Sequence, residues 1–124
     1  MAPLHLDENP ALYQIRSYQP GSIQINERTI TTSVIVTPTQ LIENWPPQTV
    51  SDLTTESFAT MHELKPDVLL IGTGATHVFL ALDIYGDLIN KGIGVEVMST
   101  SAACRTYNAL SAEGRHVVAA LLID

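Results

Sequence analysis

Basic side chains are scarce in this 124-residue chain: six lysines and arginines stand against 13 aspartates and glutamates, a formal charge of −7. Arg16, Arg28, Lys65, Lys91, Arg105 and Arg115 are spread singly along the sequence. A nucleic-acid groove needs clustered cations to displace counterions from phosphate. An anionic bilayer surface attracts the same clusters, so neither partner suits this chain. There is one cysteine, Cys104, which excludes an internal disulfide and fits a reducing compartment. No apolar run approaches the ~18 residues of a membrane-spanning helix, and direct membrane insertion is not expected. The first fourteen residues carry Asp7 and Glu8 and no lysine or arginine, unlike a secretory signal or a mitochondrial transit peptide. The expected location is therefore cytoplasmic. Seven glycines and seven prolines are too few for collagen-like or low-complexity sequence.

What is present is a chain of one-domain length, 45% apolar, which can offset its ordering entropy by burial. One domain over 1–124 is expected, with 1–11 as a loosely held arm because it shows no periodicity. From Leu12 the pattern is β. Alternation runs through Gln14 and Arg16, Pro20-Gly21 marks a turn, and Ile23 and Ile25 alternate with Gln24 and Asn26. Asn26-Glu27 reads as a hairpin turn, and the β-branched run Thr29–Thr37 reads as a strand stopped by Pro38. The first third is thus an antiparallel meander of about three strands. Residues 38–53 read as a loop in which Trp45, extended because a proline follows, packs over a sheet edge. A short helix follows and stops at Lys65-Pro66.

From Val68 the pattern changes. Val68-Leu69-Leu70-Ile71 is a continuous apolar run, the mark of a strand buried on both faces. Residues 77–91 read as a helix with Val78, Leu82, Tyr85, Leu88 and Ile89 on one side and Gly92 as a left-handed cap. A strand at 95–98, a helix capped by Ser99 or Thr100 with the stripe Ala103, Tyr107, Leu110, and an apolar strand at 117–123 complete the chain. Strands alternating with helices imply right-handed βαβ crossovers. The fold class is α/β: a mixed central sheet, with parallel βαβ units in the C-terminal half and an antiparallel N-terminal meander.

Ligands of open α/β sheets sit beyond the carboxyl ends of the strands. Two loops qualify: Gly72-Thr73-Gly74, and Ser99-Thr100-Ser101 at a helix start whose N–H groups suit an anion. The same residues equally serve as turn glycines and a helix cap. Gly72-Thr73-Gly74 is no dinucleotide fingerprint, because His77 stands where the third glycine belongs. Cys104, one turn into that helix, is either a thiol activated by the helix terminus or a small buried hydrophobe. Asn108 shares a face with Thr100 and Cys104, where it holds either neighbouring chain or a ligand. The histidines show no metal-ligand spacing, and no cofactor is implied.

The sequence Val68-Leu-Leu-Ile-Gly-Thr-Gly74, the stretch Gly92–Leu110 with Thr100, Cys104, Tyr107, Asn108 and Leu110 in order, Glu113-Gly114-Arg115 and Val118-Ala-Ala-Leu121 together resemble the family of mitochondrial complex I assembly factor 3, whose animal branch includes a Mth-like domain protein. The resemblance covers roughly residues 12–123. It implies a layered α/β fold around a mixed sheet, protein partners and a chaperone-like part in building a respiratory complex, with no enzymatic activity assigned. The mitochondrial members carry a targeting leader that the first residues here do not resemble, so the likeness is to an uncharacterised bacterial homologue.

Three functions follow as expectations. The first is a non-enzymatic interaction or assembly-factor-like protein with protein partners. The second is a binder of a small anionic or polar ligand, or an enzyme, using Gly72, Thr73, Gly74, Ser99, Thr100, Ser101, Cys104 and Asn108. The third is a homo-oligomer paired through an exposed meander edge.

Overall fold

The computed structural model describes residues 10–124. The meander is formed by β1 (Ile15–Gln19), β2 (Ser22–Ile25) and β3 (Arg28–Ile30), all antiparallel. Its two turns are the expected ones. Gly21 takes φ +90° and Asn26 φ +52°, the left-handed values that tight hairpin connections require. A bulge shifts the β1–β2 register between Ile15 and Ser17. Of the expected N-terminal arm, residues 1–9 lie outside the described residues; Pro10 is exposed and Ala11 buried.

The β-branched run at 29–37 does not form one strand. It ends β3 at Ile30 and resumes as β4 (Val34–Val36) in a different sheet. Propensity for a pleated surface does not specify which partner a strand takes. Residues 38–53 are likewise not all loop. Thr37 Oγ1 accepts the N–H groups of Thr39 and Gln40, turning the chain so that β5 (Leu41–Glu43) pairs back on β4.

After two 3-10 turns, Val50–Asp52 and Thr55–Phe58, and a single helical turn α1 (Met61–Leu64), the alternating region begins: β6 (Val68–Thr73), α2 (Leu82–Asn90), β7 (Gly94–Met98), α3 (Thr100–Ala112) and β8 (Val117–Leu122). The main sheet runs β5-β4-β8-β6-β7. β6 pairs parallel with β7 and β8, and β4 pairs antiparallel with β5 and β8. It is a mixed sheet with two parallel βαβ units.

Every residue of β6 and β8 is buried, as their apolar runs require. β7 departs from that expectation: it is an edge strand, Gly94 and Glu96 are exposed, and Val95, Val97 and Met98 are half-buried.

Strand alternation splits the core in two. On one face Val34, Val36, Leu70, Ala119 and Leu121 meet the meander's Ile15, Ile23, Ile25 and Ile30 and α3's Ala103, Cys104 and Tyr107. On the other, Ile35, Leu69, Ile71, Val118 and Ala120 are covered by Trp45, Phe58, Met61, Leu80 and Leu88. Trp45 belongs to this second cluster. Its Nε1 donates to Ser57 O at 2.9 Å, and its ring lies 5.6 Å from that of Phe58.

α2 starts five residues later than the sequence periodicity suggests. The hydroxyl of Thr73 donates to Thr76 O (2.6 Å) and Met98 O (3.1 Å) and accepts from Val78 N (3.1 Å). These bonds hold the segment after β6 as a non-helical connection. Of the expected apolar stripe only Leu88 is buried; Val78, Leu82 and Ile89 are exposed and Tyr85 half-buried. The α2 cap matches expectation, with Gly92 at φ +87°.

Candidate functional site

The two loops singled out from the sequence do meet at the carboxyl end of the sheet, and they meet in direct contact. Ser99 caps α3 by accepting from Ala102 N at 3.3 Å. Thr100, the first helical residue, is fully buried. Its Oγ1 donates to Leu122 O at 2.5 Å and accepts from Gly74 N at 2.8 Å, while its own N–H donates to Gly74 O at 2.9 Å. One threonine thus joins the end of β6, the end of β8 and the start of α3.

The glycines permit this closeness. A Cβ on Gly72 would stand 2.8 Å from Thr100 Oγ1 and 2.9 Å from Leu121 Cδ2. One on Gly74, which has φ +98°, would stand 2.8 Å from Asp124 O. Ala75 N donates to that same Asp124 carbonyl at 2.9 Å. The backbone approach that glycine provides is here made by the protein's own chain.

Further along α3 the partners are again internal. Asn108 Nδ2 donates to Ile15 O at 2.7 Å, and its Oδ1 accepts from Ile15 N at 3.0 Å. The amide therefore takes the place of a strand partner where the bulge interrupts β1. Tyr107 Oη donates to Tyr13 O at 2.7 Å, a tie that the apolar stripe of α3 does not announce. Ser101, exposed, accepts from Arg105 Nη1 at 2.8 Å.

Cys104 is 6% exposed, and burial pushes its thiol from 9.0 up to about 12 despite the opposing charge of Arg105. A thiol raised in this way is protonated at neutral pH and is a poor nucleophile. Tyr18 is raised as well, chiefly by desolvation, then by Cys104 and Asp124. Between β1 and α3, Arg16, Tyr18, Ser101, Cys104 and Arg105 line a shallow cleft of about 140 Å³.

Among the described residues no group of three or more histidine, cysteine, aspartate or glutamate side chains is placed to hold a metal ion. His62, His77 and His116 are exposed; His5 lies outside the described residues. No described helix is long and apolar enough to cross a membrane.

The feature that helical periodicity concealed lies at the start of α2 and in the connection just before it. Phe79 is 83% exposed and Leu82 60%, and no polar motif marks either residue.

Comparison with known proteins places this architecture. The family model described as "Protein of unknown function (DUF498/DUF598)" matches residues 15–122. A zebrafish (Danio rerio) protein named NADH dehydrogenase (ubiquinone) 1 alpha subcomplex assembly factor 3 is 37% identical over 110 residues, covering 87% of this chain and 63% of the relative. The chain thus spans a little under two thirds of the curated assembly factors it matches. A crystal structure of a Bordetella parapertussis protein superimposes with TM-score 0.85 at 39% identity, covering 92% of this chain and 98% of that one. A solution structure of a Bordetella pertussis protein described as a Mth938-like domain superimposes with TM-score 0.83 at 33% identity, covering 99% and 93%.

Proposed function

The chain belongs to the DUF498/DUF598 family of Mth938-like domains, and from that membership we propose that it is a non-enzymatic, assembly-factor-like protein acting on a respiratory NADH dehydrogenase through protein partners. One observation carries the reading: 37% identity to a named assembly factor of that complex over 87% of this chain. The geometry agrees with a scaffold. The groups best placed for chemistry, the hydroxyls of Thr73 and Thr100 and the amide of Asn108, each bond to backbone of the same chain. Cys104 is held protonated by burial.

Deleting the gene in an organism that carries it and resolving the respiratory complexes on native gels tests this. Reduced assembled NADH dehydrogenase, restored by the wild-type chain, is the expected result. Normal amounts and normal assembly kinetics of that complex in the deletion strain overturn it.

A further inference from the structure

Four of the five exposed large hydrophobic residues among the described residues fall between positions 78 and 89: Val78, Phe79, Leu82 and Ile89. Single exposed apolar side chains are ordinary, but a contiguous group marks an interaction site. Leu82 and Ile89 are seven apart, so they lie on one face of α2, with half-buried Tyr85 between them. Phe79 and Val78 lead into the same helix. The face is continuous with the second core cluster through Ile84 and Tyr85, which pack partly buried against it.

Gly86 stands in the middle of this helix. A Cβ there would meet only Leu82 Cγ, at 4.0 Å. Nothing in the fold requires a glycine at a position where glycine weakens a helix. It leaves a notch in the helix surface between Leu82 and Ile89.

The charge around the face selects the occupant. From Val78 to Asn90 there are two aspartates, Asp83 and Asp87, both exposed, and no basic residue. A second copy would bring the same aspartates and another −7 charges, and an anionic bilayer is repelled for the same reason. We propose that the exposed face of α2, together with Phe79 in the connection that precedes it and notched at Gly86, docks an amphipathic helical segment of another protein whose apolar side is flanked by lysine or arginine. The helix lays its apolar face against Phe79, Leu82 and Ile89, and its cations meet Asp83 and Asp87.

This rests on reading the chain as a protein-interaction module and deepens that reading. Its test uses no respiratory complex, so the docking face and the assembly role fail separately. The probe is a synthetic amphipathic peptide with leucine on one side and lysine flanking it, titrated onto the full chain by calorimetry, with the lysine-to-glutamate version as control. Saturable 1:1 binding of the leucine–lysine peptide alone is expected, weakened about tenfold or more by Phe79→Ser with Leu82→Ser; Asp83→Asn with Asp87→Asn weakens it at low salt and leaves it less salt-dependent than wild type. Gly86→Gln separates docking from folding: it raises Tm by improving the helix and weakens binding by filling the notch.

Equal binding by wild type and the Phe79/Leu82 variant overturns the proposal, as does equal binding of both peptides or no binding. Self-association of the wild-type chain that Leu82→Ser abolishes assigns the face to a second copy instead. Co-sedimentation with phosphatidylglycerol vesicles that Phe79→Ser abolishes assigns it to a membrane; either result overturns it.

Discussion

The side-chain amide of Asn108 pairs with both backbone groups of Ile15, accepting from its N–H at 3.0 Å and donating to its carbonyl at 2.7 Å. The two residues are 93 positions apart. The bond fastens the meander to α3 at the bulge, where Arg16 interrupts the β1–β2 pairing.

Asn108→Ala therefore strands a partly buried donor and acceptor as well as removing two hydrogen bonds. The expected loss is about 2 kcal/mol of unfolding free energy. Urea denaturation followed by circular dichroism measures it, and an unchanged midpoint would contradict the role assigned to the amide.

Thr100→Val keeps shape and removes the hydroxyl that serves Gly74 N and Leu122 O. Both partners are buried, so about 2–4 kcal/mol is expected, whereas Thr100→Ser keeps the hydroxyl and costs less. Gly72→Ala drives a methyl against Thr100 and Leu121 and costs about 1–3 kcal/mol by overpacking. Chemical denaturation of the three variants side by side checks the order: Thr100→Ser should be the mildest.

Cys104 gives stability a pH dependence of definite sign. Its folded pKa, about 12, lies above its ordinary 9.0, so between those values the unfolded chain releases a proton that the folded chain keeps. Stability from this group is complete below about pH 9 and is lost as pH rises toward 12. Tyr107, also raised by burial, acts in the same direction from pH 10 upward. Urea midpoints at pH 8 and pH 10 should fall less for Cys104→Ala than for wild type; parallel slopes would sink the assignment. Native-state labelling of the thiol at pH 8 should be far slower than labelling in urea.

Trp45, the sole tryptophan, is 5% exposed. Its fluorescence should be blue-shifted in the native state and move red on unfolding, in step with circular dichroism. Trp45→Phe leaves Ser57 O without its donor and should cost about 1–3 kcal/mol; a wild-type midpoint would show that the indole hydrogen bond contributes nothing.

The sequence by itself determined the buried strands β6 and β8, the turns at Gly21 and Asn26, a helix cap at Ser99 or Thr100 and the α/β class. Each of these is a local consequence of apolar continuity, positive φ or a side chain reaching its own backbone. Tertiary structure decided the rest. It cut the 29–37 run between two sheets, because β-branched residues fit either one. It left β7 at an edge, because strand order depends on pairing between distant segments. It closed the Gly72 and Gly74 loop on Thr100 and Asp124, since a glycine's freedom does not say whose backbone will approach. It also left Leu82 and Ile89 in solvent, because a 3.6-residue period marks a helix face as apolar without supplying the surface that covers it.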